Sequence, residues 1–194
     1  MDYGTFFFTN AVLMAYALYL NRELAERSRT DPLTGALNRK ALEEAAVRET
    51  SRSIRQGIPF CMVVLDIDHF KLVNDRFGQA VGDRVLQELV ARLKASLRAQ
   101  DLVARTGGEE FTLLMPETPA ATGLSVAERL REIIEKLELS ERREQVHVTV
   151  SAGVAQFEPS LGGWEEMMRR AEWAMYRAKA RGPNLVEIGE REIA

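Results

Sequence analysis

Two adjacent glycines followed by two adjacent carboxylates, set between two short apolar runs, constrain this chain more than any other feature. They stand in the sequence RTGGEEF at residues 105–111. The apolar flanks have strand length, so we expect a β-hairpin whose glycines take positive φ. Gly107 and Gly108 lack side chains that would keep a phosphate from the main chain. Glu109 and Glu110 offer the hard oxygen ligands that Mg²⁺ prefers. Taken alone, the stretch fits a phosphate and metal site or an ordinary solvated turn.

An acidic strand end further upstream favours the metal site. Residues 60–65 are a continuous apolar run, β-branched in the middle, which ends in Asp66, Ile67 and Asp68. Such a run is typical of a buried central strand that carries carboxylates to the edge of a sheet. Asp66, the carbonyl of Ile67 and a hairpin carboxylate can together hold one or two Mg²⁺ ions that also bind a nucleotide triphosphate.

The order of the segments predicts the fold class. Residues 69–78 are expected to form a polar and aromatic connection, and residues 81–90 an amphipathic helix. The order strand, helix, hairpin, helix, strand, helix, strand predicts an α/β domain with a mixed, mostly antiparallel sheet flanked by helices. We assign residues 1–29 to an apolar helix with a helical linker, and residues 30–194 to a catalytic domain.

Five motifs occur in order along the chain: DPLTGALNR at residues 31–39, DIDHFKLVND at 66–75, GGEEF at 107–111, VTVSAGV at 148–154 and AMYRAK at 174–179. Together they resemble the diguanylate cyclase family, named for its GG(D/E)EF hairpin, from about Arg29 to Ile188. The resemblance implies a fold like the palm of nucleotidyl transferases. It also implies that two GTP molecules are joined into cyclic di-GMP and two pyrophosphates, each GTP held on one protomer of a homodimer.

The resemblance assigns roles to individual residues. Asp66, the Ile67 carbonyl and Glu109 would hold Mg²⁺ or Mn²⁺. Glu110 would be the general base that removes the proton of the ribose 3′-hydroxyl, and Lys71 would offset phosphate charge. The residues implied to bind the substrate are Asn74 and Asp83 on guanine, Lys179 on the phosphates, and Phe70, Gly107 and Gly108.

Three positions depart from the family pattern. Ala36 stands where the family usually has leucine, in what resembles part of the guanine pocket, and Gln79 stands where it has histidine. Pro183 stands where an arginine usually helps Lys179 bind the terminal phosphates. Either Arg181 takes over that contact, or triphosphate affinity is reduced. The departures leave open a degenerate module that binds GTP or cyclic di-GMP without turnover, and a dimerisation cap that binds no nucleotide.

A second candidate site precedes the hairpin. Arg98 and Asp101 are expected to close the helix that begins near Val81, and in isolation they fit a surface ion pair. At this offset from the GGEEF sequence they resemble the family's inhibitory site, where the arginine forks onto a guanine of cyclic di-GMP. Arg129 stands where the family supplies a second arginine. The resemblance therefore implies inhibition by the product.

Composition argues against several other classes. The chain has 194 residues and a formal net charge of −3, whereas nucleic-acid-binding domains normally carry a basic stripe. Cys61 is the single cysteine, so no disulfide forms within the chain, and we expect it to be a buried apolar residue. His69 and His147 lack the spacing of zinc ligands.

The N-terminal segment differs from the rest. Residues 3–21 are uncharged and mostly apolar, close to the length that spans a bilayer. The arginines that follow favour a catalytic domain in the cytoplasm, tethered to the inner face of the bacterial cytoplasmic membrane. Thr5, Thr9 and Asn10 dilute the apolar character. The alternative is a helix that packs against a partner chain.

Overall fold

The computed structural model describes residues 12–16, 28–141 and 144–189. The helices are α1 Arg39–Gln56, α2 Phe70–Phe77, α3 Gln79–Ser96, α4 Ala120–Glu135 and α5 Trp164–Arg181. The strands are β1 Leu37–Asn38, β2 Cys61–Ile67, β3 Leu102–Arg105, β4 Glu110–Met115, β5 Leu139–Glu141, β6 Glu144–Val146, β7 Val150–Gln156 and β8 Val186–Ile188. A short 3₁₀ helix covers Pro159–Leu161, and residues 12–16 are also helical.

Six of the strands form one sheet in the order β1-β3-β4-β2-β7-β8, and β5 and β6 form a separate hairpin. Strand β2 is antiparallel to both β4 and β7, and β3 is antiparallel to β4. Among the described strands, only the edge pairs β1/β3 and β7/β8 are parallel. The predicted α/β fold, a mixed and mostly antiparallel sheet flanked by helices, is therefore confirmed.

Strand β2 lies in the middle of the sheet because both of its faces are apolar. Residues 61–65 are at most 1% exposed. Alternate residues beginning with Cys61 pack with α3 and α4, and those beginning with Met62 pack with α1 and α5. This alternation follows from the side-chain period of two along a strand. Asp66 continues the second set, so it reaches the sheet edge on the side of α1 and α5.

Helix α1 was absent from the predicted order of elements. Its N-cap is Asn38, whose side chain accepts a hydrogen bond from the Ala41 amide at 2.9 Å, and it ends at Gly57, where φ is 68°. Between these caps a narrow buried face packs on the sheet, made of Ala41, Leu42, Ala45 and Ala46. The small side chains let α1 approach the sheet closely, and its first residue, Arg39, lies beside the hairpin tip.

The expectation that residues 69–78 form a connection was wrong, because most of them form α2. The helix starts after His69, which takes a positive φ of 54°, and ends at Gly78, where φ is 87°. Phe70 and Val73 are buried on its inner face. Apolar residues three positions apart are enough to bury one face of a short helix, although its polar neighbours resemble a loop.

Helix α5 lies directly on β7. A Cβ atom at Gly153 would lie 2.0 Å from the carbonyl oxygen of Ala171 and 2.3 Å from the amide nitrogen of Met175. Both neighbours are backbone atoms, so only glycine fits at this crossing. The close approach brings Lys179, near the end of α5, to the end of β2.

Within the described ranges, no helix is long and apolar enough to cross a membrane. The predicted span at residues 3–21 lies outside the described residues except for residues 12–16, whose side chains are exposed. Membrane contact, and the boundary between residues 29 and 30, therefore stay predictions. Cys61 is buried, as expected, and burial raises the pKa of its thiol to about 12.

Candidate active site

The tip of the β3–β4 hairpin presents the two glycines and two glutamates. Strands β3 and β4 are antiparallel, which confirms the predicted hairpin, and residues 106–109 connect them. Neither Gly107 nor Gly108 takes a positive φ, so that expectation was wrong. Hairpin loops of this length are most often built around a type I turn, which needs no positive φ at its centre. A Cβ atom at Gly108 would meet nothing within 4 Å, so the fold itself does not require glycine there.

An arginine fastens the outer side of the tip. Arg105 donates to the carbonyl oxygen of Gly108 at 2.6 Å and pairs with Asp31 at 3.2 Å. Asp31 also accepts the Thr34 amide at 2.9 Å, which closes a turn at the first motif. Burial opposes ionisation of Asp31, but hydrogen bonds from Thr34 and the charge of Arg105 outweigh it and hold the pKa of that carboxyl below its usual 3.8. The first motif thus supports the hairpin.

The strand register brings the predicted metal ligands together. Glu110 lies directly opposite Asp66 in the β2–β4 pair. Directly opposed residues of antiparallel strands point to the same face, with Cβ atoms about 5 Å apart. One residue further along, the amide of Ile67 donates to the carbonyl of Glu109 at 3.3 Å. Asp66, Ile67 and Glu109 therefore meet at one edge of the sheet, beside the candidate base.

Lys179 supplies a positive charge at this edge. Its Nζ atom lies 2.5 Å from Oδ1 of Asp66. Burial raises the pKa of the Asp66 carboxyl, Lys179 opposes the rise, and the charge of Glu110 adds to it. Burial and then the charge of Asp66 raise the pKa of Glu109. One ammonium group beside three carboxylates leaves an excess of negative charge.

The donor set fits a hard divalent cation. In the part of the chain that the structure describes, no three His, Cys, Asp or Glu side chains cluster as a metal-ligand group. The predicted set needs fewer side chains, because it combines the carboxylates of Asp66 and Glu109 with a backbone carbonyl, and all of its donors are oxygen, as Mg²⁺ and Mn²⁺ prefer. Repulsion among carboxylates contributes to both raised pKa values. A bound divalent cation would relieve that repulsion.

Asp68, two residues beyond Asp66, forms hydrogen bonds within the protein. Its carboxylate accepts hydrogen bonds from the Thr149 and Ser151 hydroxyls, each at 2.7 Å, and from the Asn184 amide at 2.8 Å. It is only 6% exposed. Asp68 thus ties the start of β7 and the loop after α5 to the end of β2.

Helices α2 and α3 form the candidate guanine pocket. Gly82 packs directly against Asn74, since a Cβ atom at position 82 would lie 1.9 Å from Oδ1 of Asn74 and 3.2 Å from the Phe70 ring. Within the described ranges, the buried Oδ1 atom of Asn74 has no hydrogen-bond partner. A buried acceptor is costly unless a donor reaches it, so this atom is suited to a ligand. Asp83 follows on α3 and is half-buried, whereas Lys71 is exposed on α2.

The three predicted inhibitory residues line one cavity, of about 190 Å³. Helix α3 ends at Ser96, so Arg98 and Asp101 form a turn after the helix instead of closing it. Oδ2 of Asp101 accepts the backbone amide of Arg98 at 3.0 Å. Arg129, on α4, donates to the Ser96 carbonyl at 2.9 Å. Oδ1 of Asp101 is buried and has no partner among the described residues.

The loop after α5 lacks the usual arginine. Pro183 is exposed there and has no amide hydrogen to donate. Arg181 forms an ion pair with Glu187 on β8. The neighbouring Asn184 accepts a hydrogen bond from Arg131 on α4 at 2.9 Å. Arg181 would have to leave Glu187 to bind a phosphate.

Three residues near the candidate base were not predicted. Thr106 donates its hydroxyl to Oε1 of Glu110 at 2.7 Å, and Arg39 donates to the Thr106 carbonyl at 3.3 Å. Burial, and then the charge of Glu110, raise the pKa of Glu172 on α5. Arg39 is the last residue of the first motif and Thr106 directly precedes the GGEEF motif, which was the available signal. Their contacts depend on tertiary packing that sequence spacing does not reveal.

Comparison with known proteins places this geometry in a family. The family model described as diguanylate cyclase, GGDEF domain, matches residues 28–185. Diguanylate cyclase DgcP of Pseudomonas aeruginosa is 42% identical over 163 residues, which cover 84% of this chain and 24% of DgcP. The chain thus spans about a quarter of the length of that relative.

Solved structures agree with this match. The GGDEF domain of DgcB from Caulobacter crescentus, crystallised with cyclic di-GMP, is 33% identical with a TM-score of 0.81, covering 84% of this chain and 97% of that one. The active GGEEF domain of a diguanylate cyclase from Vibrio cholerae is 30% identical with a TM-score of 0.76, covering 80% of this chain and 98% of that one. The chain therefore belongs to the diguanylate cyclase GGDEF domain family.

Proposed function

We propose that this chain is a diguanylate cyclase that condenses two GTP molecules into cyclic di-GMP and two pyrophosphates. The observation that carries the proposal is the β2–β4 register, which sets Glu110 opposite Asp66 and brings Glu109 alongside Ile67. A carboxylate that can accept a proton thus stands beside a separate set of oxygen ligands. The Vibrio cholerae domain described as active carries the same GGEEF sequence in its name, which supports turnover.

Each residue has a defined task in the proposed reaction. Glu110 accepts the proton of the ribose 3′-hydroxyl, and the resulting oxygen attacks the α-phosphate of the second GTP, which releases pyrophosphate. Lys71 and Lys179 place positive charge near the phosphates. The remainder of the catalysis is positional, because phosphoryl transfer requires mainly alignment of the two groups and stabilisation of spreading charge.

Asp66, the Ile67 carbonyl and Glu109 would hold Mg²⁺ or Mn²⁺. The bound ion would offset the charge of the triphosphate and of the carboxylates around it. Lys179 carries a positive charge at this site, with its Nζ atom 2.5 Å from Oδ1 of Asp66. In the proposed reaction Lys179 contacts the phosphates of GTP.

Guanine selection rests on α2 and α3. Oδ1 of Asn74 is a buried acceptor without a partner in the described part of the chain, and Asp83 adds a second acceptor nearby on α3. Guanine presents the N1 and N2 donors that such acceptors recognise, and adenine lacks this pair. Phe70 is buried on α2, at 6% exposure, and its ring lies close to Gly82 of α3. GTP is therefore the proposed substrate.

The proposed reaction requires two copies of the chain. One protomer supplies one hairpin edge and one candidate guanine pocket, whereas the product contains two guanosines. We therefore propose a homodimer in which each protomer holds one GTP. Use of GTP would place the catalytic domain in the cytoplasm, and contact of residues 3–21 with the membrane rests on the sequence alone.

We also propose that cyclic di-GMP inhibits the enzyme by binding Arg98, Asp101 and Arg129. These residues line one cavity, and Oδ1 of Asp101 is a buried acceptor that lacks a partner among the described residues. The guanidinium of Arg98 is exposed and can fork onto the O6 and N7 atoms of guanine. The crystal structure of the related DgcB domain with cyclic di-GMP supports binding of this product.

One feature favours a second candidate, a module that binds nucleotide without turnover. Pro183 has neither a charge nor a hydrogen-bond donor for the terminal phosphates, and Arg181 is paired with Glu187. In this case the protein would bind GTP or cyclic di-GMP and form no product.

Incubation of the purified protein with GTP and Mg²⁺, followed by chromatographic detection of cyclic di-GMP and pyrophosphate, decides between these functions. We expect both products in a ratio of one to two. Binding of GTP without product would identify the binding module, and absence of nucleotide binding would contradict both candidates.

A further inference from the structure

The threonine before the two glycines is linked to the candidate base. Oγ1 of Thr106 lies 2.7 Å from Oε1 of Glu110 and 3.1 Å from Oγ1 of Thr112. Thr112 is fully buried at 0% exposure, in the middle of β4. The three side chains thus form a continuous hydrogen-bonded row on the face of the sheet that α1 and α5 cover.

The direction of the hydrogen bonds in this row follows from chemistry. An ionised carboxylate can only accept, so the Thr106 hydroxyl donates to Glu110. The single Thr106 hydrogen is then used, and the hydroxyl of Thr112 must donate to the Thr106 oxygen. This arrangement also satisfies the buried Thr112 hydroxyl, which would otherwise be costly.

The backbone of Thr106 is held in place independently of its side chain. Its amide donates to the Glu110 carbonyl at 3.0 Å, and its own carbonyl accepts from Arg39 at 3.3 Å. Over the described residues, Oε2 of Glu110 receives no protein hydrogen bond. One carboxylate oxygen of Glu110 is therefore fixed by the protein and the other is left for the substrate.

We propose that Thr106 is a positioning residue that holds Oε1 of Glu110 so that Oε2 meets the attacking hydroxyl, and that Thr112 acts through Thr106. This inference rests on the proposed function, in which Glu110 is the base. It concerns the orientation of Glu110 and not the binding of GTP. The two hydroxyls should therefore affect turnover and leave substrate affinity nearly unchanged.

Substitution of Thr106 tests the first part. Thr106→Val keeps the shape and removes the hydroxyl, whereas Thr106→Ser keeps the hydroxyl. We expect T106V to lower kcat by about ten- to a hundredfold, the range of one hydrogen bond to a charged group, with KM for GTP within about twofold of the original. T106S should recover most of kcat. A loss confined to KM, or equal losses in T106V and T106S, would overturn the proposal.

A double-mutant cycle tests the second part. Thr112→Val should reduce kcat in the original protein, by less than T106V does, because the Thr106 hydroxyl can still reach Glu110. In the T106V background the same substitution should have no further effect, since Thr112 would act only through the missing hydroxyl. Additive losses would show that Thr112 acts by another route. Thermal denaturation of each variant separates a loss of fold from a loss of turnover.

A structural readout keeps this inference separate from the proposed function. Crystal structures of T106V and T106S should show the Glu110 carboxylate rotated or poorly ordered in T106V and unchanged in T106S. If the original protein forms no cyclic di-GMP, the proposed function fails, while these structures still test whether Thr106 orients Glu110. An unchanged Glu110 in T106V would refute the positioning role whatever the activity.

Discussion

The two adjacent glutamates at the hairpin tip have the same side chain but different surroundings. Glu110 belongs to β4 and lies opposite Asp66, while Glu109 belongs to the turn. Burial and the charge of Asp66 raise the pKa of Glu109. Glu109 is therefore close enough to Asp66 for both carboxylates to serve as the proposed metal ligands. Glu110 is instead held by the Thr106 hydroxyl. Isosteric substitutions can therefore separate the two roles.

Glu109→Gln should abolish Mg²⁺-dependent formation of cyclic di-GMP and leave the fold intact, because it removes a charged ligand without changing volume. Glu110→Gln should leave binding of Mg²⁺-GTP nearly unchanged and lower kcat, because a base acts on the hydroxyl and not on ground-state phosphate affinity. Product formation and calorimetric GTP binding measure the two effects. Equal loss of binding in both variants would show that the roles are assigned wrongly.

Asp31 gives a prediction about pH. Its carboxyl pKa lies below 3.8 in the folded protein, because hydrogen bonds from Thr34 and the charge of Arg105 outweigh burial. A depressed folded-state pKa contributes stability above the unfolded-state value, and that stability is lost as pH falls toward the folded-state value. Asp31→Asn should therefore lower the free energy of unfolding near neutral pH, and the difference from the original protein should shrink as the pH falls below the usual carboxyl value of 3.8. Urea unfolding at several pH values measures it, and a difference that is constant with pH would contradict the role of the charge.

At the scale of elements, the conformation of the β3–β4 hairpin does not require glycine at position 108. A Cβ atom there would meet nothing within 4 Å, whereas one at Gly107 would lie 3.1 Å from the Glu110 Cβ atom. Neither residue takes a positive φ. A requirement for glycine at position 108 would therefore come from the ligand and not from the fold.

Gly108→Ala should leave thermal stability almost unchanged and weaken GTP binding, because the added methyl group would stand where a phosphate approaches the main chain. Calorimetric titration with Mg²⁺-GTP and a melting curve provide the two measurements. Gly57→Ala serves as a contrast, since Gly57 ends α1 with a φ of 68° and should lose stability without affecting GTP. Undiminished GTP affinity in Gly108→Ala would place the phosphates elsewhere.

The elements that could be predicted from the sequence are those with continuous apolar runs. Strand β2 and the two strands of the hairpin have such runs, and each was placed correctly. Helix α2 was mistaken for a loop because it has only eight residues, two of them buried. The β5–β6 hairpin has three-residue strands that carry little apolar pattern. Short elements of this kind are determined by tertiary packing, which local periodicity does not record.

The sequence indicated which residues belong to the candidate site, but it did not indicate the contacts that these residues make. Asp66 and Glu109 were named from their motifs, and Glu109 lies close enough to Asp66 for that charge to raise the pKa of Glu109. The ion pair of Lys179 with Asp66 joins residues far apart in sequence, at the crossing of α5 over β7. Thr106 was not predicted because its side chain is uncharged, and nothing in the sequence next to the two glycines indicates that its hydroxyl contacts Glu110.

At the scale of the whole molecule, the cavity proposed to bind cyclic di-GMP and the proposed metal ligands are separate. Strand β3, of four residues, lies between Asp101 and the hairpin tip, which corresponds to about 13 Å of extended chain. Arg98→Ala should therefore raise the cyclic di-GMP concentration for half inhibition by about ten- to a hundredfold, the cost of one bidentate contact to guanine. The initial rate should change far less. Initial rates measured at increasing concentrations of cyclic di-GMP test this prediction. Equal inhibition of the original protein and the Arg98→Ala variant would show that Arg98 does not bind cyclic di-GMP.

The proposed reaction predicts that activity depends on dimer formation, because one chain carries one candidate nucleotide site and the product joins two nucleotides. Activity per chain should fall on dilution below the dimer dissociation constant, in proportion to the fraction of protein that is dimeric. Specific activity across a dilution series, measured beside the mass in solution by analytical ultracentrifugation, tests the relation. A flat specific activity with a constant dimer mass would mean a tight dimer. The same flat activity in a protein that is monomeric throughout would contradict a reaction shared between two protomers.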